Sequence, residues 1–499
     1  MEAGSSRTLN RAVAAALAVG AAGTAAVMGV RAHRAGSSAV PEGPRPSQEA
    51  IGAEFAQPAA DRLSELIRFR TVFSRSRDEI DLDEFTGLIN ALERLYPQVH
   101  AHLERELVNG HALLFTWPGT GNNAGTGAGP VVLMAHYDVV PVDERDNWTH
   151  PGFSGVQDGG YVWGRGALDD KGALVAILGA VESLLQDGFT PSHDIYLSFG
   201  NNEETAGDSA VAAAALLYDR GVAPWMVLDE GGAVAQDAFP GLKPPAAVVG
   251  VAEKGILDVE LVTRSAGGHA STPPKMGATA RLARAIVALE TKPFPQAMPE
   301  PIVEMLRRIG AHSGLGLRLV TSNMWAFKAP MTKLFDKLGD ETRAMTRTTV
   351  TITELEGSRG ANVLASTARA NANIRIAVGE NVQGTLERIG RIINDPSVEL
   401  RVRGGHEPSP VSASGNEQFA LITRSVAAAY PQAVVTPYVQ TGATDARNFT
   451  AICPAVYRFS PLWMDVDDRA SLHAVNEKVR ISSLGAGVVF YRELVKSLG

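Results

Sequence analysis

The chain has 499 residues, 45% of them hydrophobic and 20% charged; that length leaves room for more than one folding unit, and the composition excludes a mostly disordered, collagen-like or polytopic membrane protein. With 46 Lys and Arg against 54 Asp and Glu the formal charge is −8, and no basic run stands out, so the charge pattern gives no support for nucleic-acid binding. Cys453 is the single cysteine; an intrachain disulfide framework and a thiolate-rich zinc site are both excluded, and any metal must be held by His and carboxylates.

Between Arg11 and Arg31 lie 19 residues without charge, drawn from Ala, Val, Leu, Gly, Thr and Met. That is just enough helix to cross a hydrocarbon core, so residues 1–35 are read as a signal or anchor segment, and the protein is expected at the cell envelope, membrane-anchored or exported. A poorly ordered Ala/Gly tail is the alternative, because Ala contributes little to insertion. Residues 36–58, rich in Gly, Ser, Pro and Glu, read as a linker. From residue 59 to 250 apolar runs alternate with helical patterns, as an α/β domain requires. Val131–Ala135, Asp194–Phe199 and Trp225–Leu228 are predicted as buried strands, and Lys171–Gln186 and Asp208–Asp219 as helices.

Residues 251–405 change texture. Strands are predicted at Gly255–Val262, Thr348–Glu354, Arg369–Ala377 and Ser397–Val402, with helices at Ala278–Leu289 and Val382–Ile393, which makes a second α+β unit. Residues 300–340 read as helices covering apolar surface. From residue 406 to 499 the α/β texture resumes, with helices at Asn416–Tyr430 and Ser482–Leu498 and a strand near Ala455–Phe459. The fold class is therefore α/β: a catalytic domain with a mixed central sheet, interrupted by an inserted α+β lid or dimerisation domain.

Three predicted strands run into polar clusters: His136-Tyr137-Asp138, Glu203-Glu204 and Asp229-Glu230. In open α/β sheets ligands bind beyond the carboxyl ends of strands, so residues distant in sequence can meet in one crevice. Asp169-Asp170-Lys171 opens a helix, and His473 follows a polar loop. Few imidazoles and several carboxylates suit Zn²⁺, or Mn²⁺ or Co²⁺, and one carboxylate shared by two ions would hold them roughly 3.5–4 Å apart. Adjacent Glu203 and Glu204 suit a division in which one binds metal and the other moves protons.

At these residues the chain resembles the co-catalytic zinc metallopeptidases that include carboxypeptidase S, glutamate carboxypeptidase, aminoacylase and succinyl-diaminopimelate desuccinylase. The resemblance is carried by Met134-Ala135-His136-Tyr137-Asp138-Val139-Val140-Pro141, Trp163-Gly164-Arg165-Gly166-Ala167-Leu168-Asp169-Asp170-Lys171-Gly172, Asn202-Glu203-Glu204-Thr205, Val227-Leu228-Asp229-Glu230-Gly231 and Leu472-His473-Ala474-Val475-Asn476-Glu477. The long form with Leu228-Asp229-Glu230-Gly231 looks most like the branch of carboxypeptidase S and its N-acyl-amino-acid hydrolase relatives. The resemblance implies that two Zn²⁺, replaceable by Co²⁺ or Mn²⁺, are bound by His136 and Asp229 on one side and Glu204 and His473 on the other, with Asp169 bridging. It implies Glu203 as catalytic base, Asp138 orienting His136 through its second ring nitrogen, and a cis peptide at Asp169-Asp170. In the insert, His269 in Gly267-Gly268-His269-Ala270-Ser271-Thr272-Pro273 resembles the lid histidine that donates to the developing oxyanion, sometimes across a subunit boundary. Asn362 and Arg375 resemble lid residues that grip a free carboxylate, and Gly442 a substrate-binding glycine. Ala474, where relatives usually have Gly, adds only a methyl.

Taken singly, His136 also reads as a strand-end histidine, His269 as a loop histidine, Arg375 as a salt-bridged strand residue and Asn362 as a turn residue. Six acidic and imidazole positions are not explained by packing together, since unpaired buried carboxylates repel. The expected activity is hydrolysis of an amide or peptide bond next to a free α-carboxylate, as in a carboxypeptidase or dipeptidase. The alternative substrate is an N-acyl amino acid with a fatty or aromatic acyl group, and the non-enzyme alternative an inactive receptor or scaffold of the same fold. The apolar stretch Leu315–Leu334 reads as lid core in preference to an acyl pocket. Monomer and lid-mediated homodimer are both open.

Overall fold

In a computed structural model of the chain the described residues are 25, 27–36, 48–121, 128–143, 145–239 and 242–498. After helix α1 (Ala53–Ile67), strands β1 (Glu104–Val108), β2 (Ala112–Trp117) and β3 (Val131–His136) precede helix α2 (Lys171–Gln186). Then come β4 (Ile195–Gly200), α3 (Ser209–Asp219), β5 (Met226–Asp229), β6 (Ala233–Ala235) and β7 (Ala246–Glu253). The insert follows: β8 (Gly255–Arg264), α4 (Ala278–Thr291), α5 (Glu300–Ala311), α6 (Leu315–Thr321), α7 (Met324–Leu338), β9 (Thr349–Glu356), β10 (Thr367–Ile376), α8 (Val382–Ile393) and β11 (Val398–His406). The chain closes with α9 (Glu417–Ala429), β12 (Val434–Gln440), β13 (Val456–Arg458), β14 (Trp463–Met464) and α10 (Ile481–Lys496).

Ten strands form one mixed sheet in the order β1-β2-β4-β3-β5-β13-β7-β6-β14, with β12 paired to β7. Strand β3 is buried at every position because it is central, and it runs parallel to β4 on one side and β5 on the other. Continuous apolar sequence without alternation is what a strand covered on both faces requires. On one face α2 is buried nearly all round between α1 and α10. Parallel pairing puts the carboxyl ends of β3, β4 and β5 on one edge, so His136, the turn after Gly200, and Asp229 emerge together.

The insert leaves the large sheet through one residue, Lys254, between β7 and β8, and returns after β11, where Ser409 N–H donates to the Glu253 carbonyl at 3.1 Å. Its four-stranded antiparallel sheet has the order β9-β10-β8-β11, and α4 and α8 cover one face. Along β10, Ala370, Ala372, Ile374 and Ile376 point into that core, which leaves Asn371, Asn373 and Arg375 on the opposite side, the period-two pattern of a strand with two different faces. Helices α5 and α7 pack through Ile302, Met305, Met324, Met331 and Phe335 onto Ala246 of β7 and Val434 of β12. They cover apolar surface as expected, but Leu315 and Leu334 face outward and line neither this core nor the main cleft.

Most of the expected anchor run falls outside the described residues. Among the described residues no helix is long and apolar enough to cross a membrane. The predicted strand and helix ends agree with the structure within one to four residues for most elements, and Lys171–Gln186 and Val382–Ile393 agree at both ends. The hairpin β1–β2 and strand β12 were not anticipated.

Candidate metal centre

His136 is the last residue of β3 and is buried. Its Nδ1 faces the Asp138 carbonyl at 3.0 Å; a carbonyl only accepts, so Nδ1 carries the hydrogen and Nε2 presents its lone pair. That lone pair points at Asp169 Oδ1, 2.9 Å away. The other oxygen of the same carboxylate, Oδ2, lies 3.0 Å from His473 Nε2, which is also 3.2 Å from Glu204 Oε2. Asp169 thus offers one oxygen to each histidine. The peptide Asp169-Asp170 is cis, as the resemblance implies.

Orientation of His136 by Asp138 needs a refinement. The ring bonds to the Asp138 main-chain carbonyl, and the carboxylate stands 3.5 Å off. The carboxylate instead accepts the N–H groups of Glu203 and Glu204, each at 3.1 Å. Strand β4 lies beside β3, so the turn after β4 meets the loop after β3, and Asp138 ties the two together. Asp229 is buried at the end of β5, with Oδ2 accepting the Ala446 N–H at 2.7 Å.

Burial, with the carboxylates of Asp445 and Asp169 adding to it, holds the Glu203 carboxyl well above the usual carboxylate range against the pull of His136. Burial alone would raise Asp169 as well, but the imidazoles of His136 and His473 against its two oxygens keep it low. Hydrogen bonds to Asp169 and Glu204 push His473 up to about 10. Paired lone-pair atoms 2.9–3.2 Å apart need a proton or a cation between them. His136, Asp169 and Glu204 each offer an atom within 4.8 Å of the others, and among the described residues Glu204 Oε1 is buried without a hydrogen-bond partner. Oxygen and imidazole donors in that arrangement fit divalent ions of the zinc and manganese type.

Glu203, Glu204, His473, Arg375 and Gly442 line one cleft of about 860 Å³ between the catalytic sheet and the insert. Arg375 is partly buried there, and among the described residues it forms no ion pair, which distinguishes it from an ordinary salt-bridged strand arginine. His269 and Asn362 are not on this cleft. They sit together elsewhere on the insert, where Gly268–His269 pairs with Val363–Leu364, Ala270 N–H donates to the Asn362 carbonyl at 2.9 Å, and His269 Nδ1 meets Ser271 Oγ at 2.7 Å.

Several residues of the site carry no individual role in the sequence reading. Glu477 is fully buried, accepts the N–H groups of Leu168 (2.9 Å) and Asp169 (3.2 Å) and pairs with Arg165 at 2.6 Å, so it fixes the backbone that carries Asp169. Its membership of the His473 motif was the available signal. Asp445 lies beside Asp229, and burial pushes its carboxyl up to about 7. Asp258, Asn371 and Asn373 line the cleft from the insert; the alternation Asn371, Asn373, Arg375 against apolar neighbours was the signal there.

Under the cleft, Arg458 Nε donates to Glu253 Oε2 at 2.9 Å, and the Thr444 N–H reaches the same oxygen at 3.2 Å; Arg458 and Glu253 are fully buried. The pair ties the start of the insert to the loop that holds Asp229. Removing one member of a buried pair strands the other charge, which costs about 3–5 kcal/mol. Arg458→Met is therefore expected to lower thermal stability sharply, and adding Glu253→Gln to recover part of the loss, measured by scanning calorimetry.

A family model described as "Peptidase family M20/M25/M40" matches residues 132–497. The chain belongs to peptidase family M20/M25/M40. Within it, the chain is 33% identical over 448 residues to a "Probable carboxypeptidase S-like 2" of Dictyostelium discoideum, covering 88% of this chain and 84% of that one. It is 34% identical over 455 residues to "N-fatty-acyl-amino acid synthase/hydrolase PM20D1.1" of Danio rerio, covering 90% and 87%. The fold matches that of an M20 family metallo-carboxypeptidase, Sso-CP2 from Sulfolobus solfataricus, with a TM-score of 0.65 at 17% identity, covering 88% and 99%. As an M20 family member the protein is a metallohydrolase, and the scaffold alternative falls away.

Proposed function

We propose that this protein is a dinuclear zinc hydrolase that cleaves an amide bond next to a free α-carboxylate. The carrying observation is the Asp169 carboxylate, with Oδ1 on His136 and Oδ2 on His473. His136 and Asp229 would hold one ion, Glu204 and His473 the other, and Asp169 both; Co²⁺ or Mn²⁺ would substitute. Bound there, the two cations polarise the scissile carbonyl and lower the pKa of water.

Glu203 takes a proton from the attacking water and returns it to the leaving amine. Its burial supports this role, because surroundings that raise the proton affinity of a carboxyl make it a better acceptor of a proton from water. Asp138 holds the Glu203 backbone, so the carboxyl approaches the cleft from a fixed turn. Arg375 grips the substrate carboxylate with its planar fork. Gly442 lies on the same cleft wall and leaves backbone room for the substrate. His269 and Asn362 would serve the oxyanion and the carboxylate after lid closure or across a lid-mediated dimer interface. Arg375→Ala is expected to raise KM for carboxylate-bearing substrates on the order of 10–100-fold, with a smaller change in kcat; equal KM values for both proteins in steady-state assays would remove the arginine from the site.

A second substrate reading, an N-fatty-acyl amino acid, is supported by the Danio rerio relative. Turnover of the metal-loaded enzyme on a Gly-Xaa dipeptide and on an N-oleoyl amino acid separates the two. Inertness toward both would refute the amide-hydrolase proposal. We also place the protein at the cell envelope, held by the uncharged run Ala12–Val30.

A further inference from the structure

The insert turns one face of its sheet toward the metal cleft, and charge is unevenly compensated along it. Leu257, Val259 and Leu261 of β8 enter the core of the insert, so Ile256, Asp258 and Glu260 stand on the opposite face, with Asn371, Asn373 and Arg375 of β10. Glu260, the farthest of the three from the Lys254 crossing, is neutralised, since Arg369 and Arg403 each approach it to 3.2 Å. Asp258 is not. Its Oδ1 accepts the side-chain amides of Asn371 at 3.1 Å and Asn373 at 2.9 Å; among the described residues Oδ2 accepts no hydrogen bond and no cation pairs with the group. Two neutral amides fix the carboxylate without cancelling its charge.

Sheet pairing sets Asp258 opposite Asn373 and Ile256 opposite Arg375, so Asp258 and Arg375 are diagonal neighbours, about 7–8 Å apart. Both line the cleft, and so does Ile256, which adjoins each of them. On the other side of Asp258 its partner in β11 is Gly404, where a Cβ would meet nothing within 4 Å; the space beside the carboxylate is open. Among the described residues the other apolar side chains on the cleft are those of Ala206 and Ala443, so this wall offers no pocket to a large apolar group. An amino acid with its carboxylate on Arg375 can lay its methylenes along Ile256 and set a cation against Asp258. We propose that Asp258 is a specificity residue, selecting substrates in which the residue bearing the free α-carboxylate carries a cationic side chain of the lysine, ornithine or arginine class. The inference rests on the reading of Arg375 as the grip on that carboxylate.

The test assays the metal-loaded full chain on substrates that share one acyl group, glycyl in one series and N-oleoyl in the other, and end in lysine, norleucine or glutamate. Norleucine keeps the carbon chain of lysine and lacks its ammonium. The wild type is expected to favour lysine over norleucine in kcat/KM on the order of 10-fold, mainly through KM, as a charge-assisted hydrogen bond gives. Asp258→Asn keeps an oxygen for Asn371 and Asn373, and its ratio is expected to fall to about one. Asp258→Glu keeps the charge and should retain part of the preference; the melting temperature of each variant reports its fold. Equal kcat/KM for lysine and norleucine in the wild type overturns the proposal without any variant, and so does a lysine preference that survives in folded Asp258→Asn. A preference for glutamate means that Arg75 and Arg447, on the same cleft, set the selection, and also overturns it. In all these outcomes amides are being cleaved, so the amide-hydrolase reading stands. Inertness toward every substrate refutes that reading and this one with it.

Discussion

Glu203→Gln is expected to retain both metal ions and to lose on the order of 10²–10⁴-fold in kcat. The substitution keeps the size of the side chain and leaves the Glu203 N–H on Asp138 Oδ1 untouched, so the turn after β4 should hold its position. What disappears is the ability to take a proton from water and return it to the leaving amine. Burial makes the neutral amide easy to accommodate, since the native carboxyl already sits among Asp445, Asp169 and Asp138 in surroundings that disfavour its charge. Metal content by mass spectrometry and kcat on the best amide substrate check the two halves separately. Normal turnover would remove Glu203 from the chemistry, and loss of metal would make it a ligand.

Asp169→Asn is expected to lose activity to background and to bind less than the two ions of the wild type. An amide offers one oxygen and an N–H₂ group where the native side chain offers two oxygens, one 2.9 Å from His136 and one 3.0 Å from His473, so one histidine must lose its partner. The backbone should remain in place because Glu477 still accepts the N–H groups of Leu168 and Asp169. Thermal stability gives an independent reading. Ligand binding stabilises the native state by mass action, and here it would also offset the repulsion among Asp169, Asp170, Asp229, Glu203 and Glu230, whose mutual effects on one another are all raising ones at Glu230. Chelation should lower the melting temperature of the wild type and barely move that of Asp169→Asn. A variant that still binds two ions and still responds to chelator would show that Asp169 does not bridge.

Much of this site was legible before any coordinates. The strand that ends at His136 is apolar throughout before the histidine, and Lys171–Gln186 is helical at both expected ends, because burial on both faces and helical periodicity are local properties of sequence. The acidic and imidazole residues after three strands pointed to one crevice, since parallel strands end on one edge. Other features were not legible. Asp138 was expected to hold the His136 ring with its carboxylate, and the structure gives that task mainly to its carbonyl, with the carboxylate turned to Glu203 and Glu204. His269 and Asn362 came from resemblance, and in this chain they lie away from the cleft that Arg375 lines.

The amino-acid sequence by itself determined which chemistry the protein can perform: hard and borderline ligands, a spare carboxyl for proton transfer, no thiolates, and an insert with its own sheet. These are matters of side-chain type, short-range spacing and periodicity. The tertiary structure alone decided that Glu477 fixes the backbone of Asp169, that Arg458 and Glu253 lock the start of the insert to the Asp229 loop, and that the helix over residues 27–36 rests on the α6–α7 hairpin. Each of these joins residues far apart along the chain. Such contacts depend on how whole elements pack and on which buried groups must satisfy one another, and no local pattern encodes that.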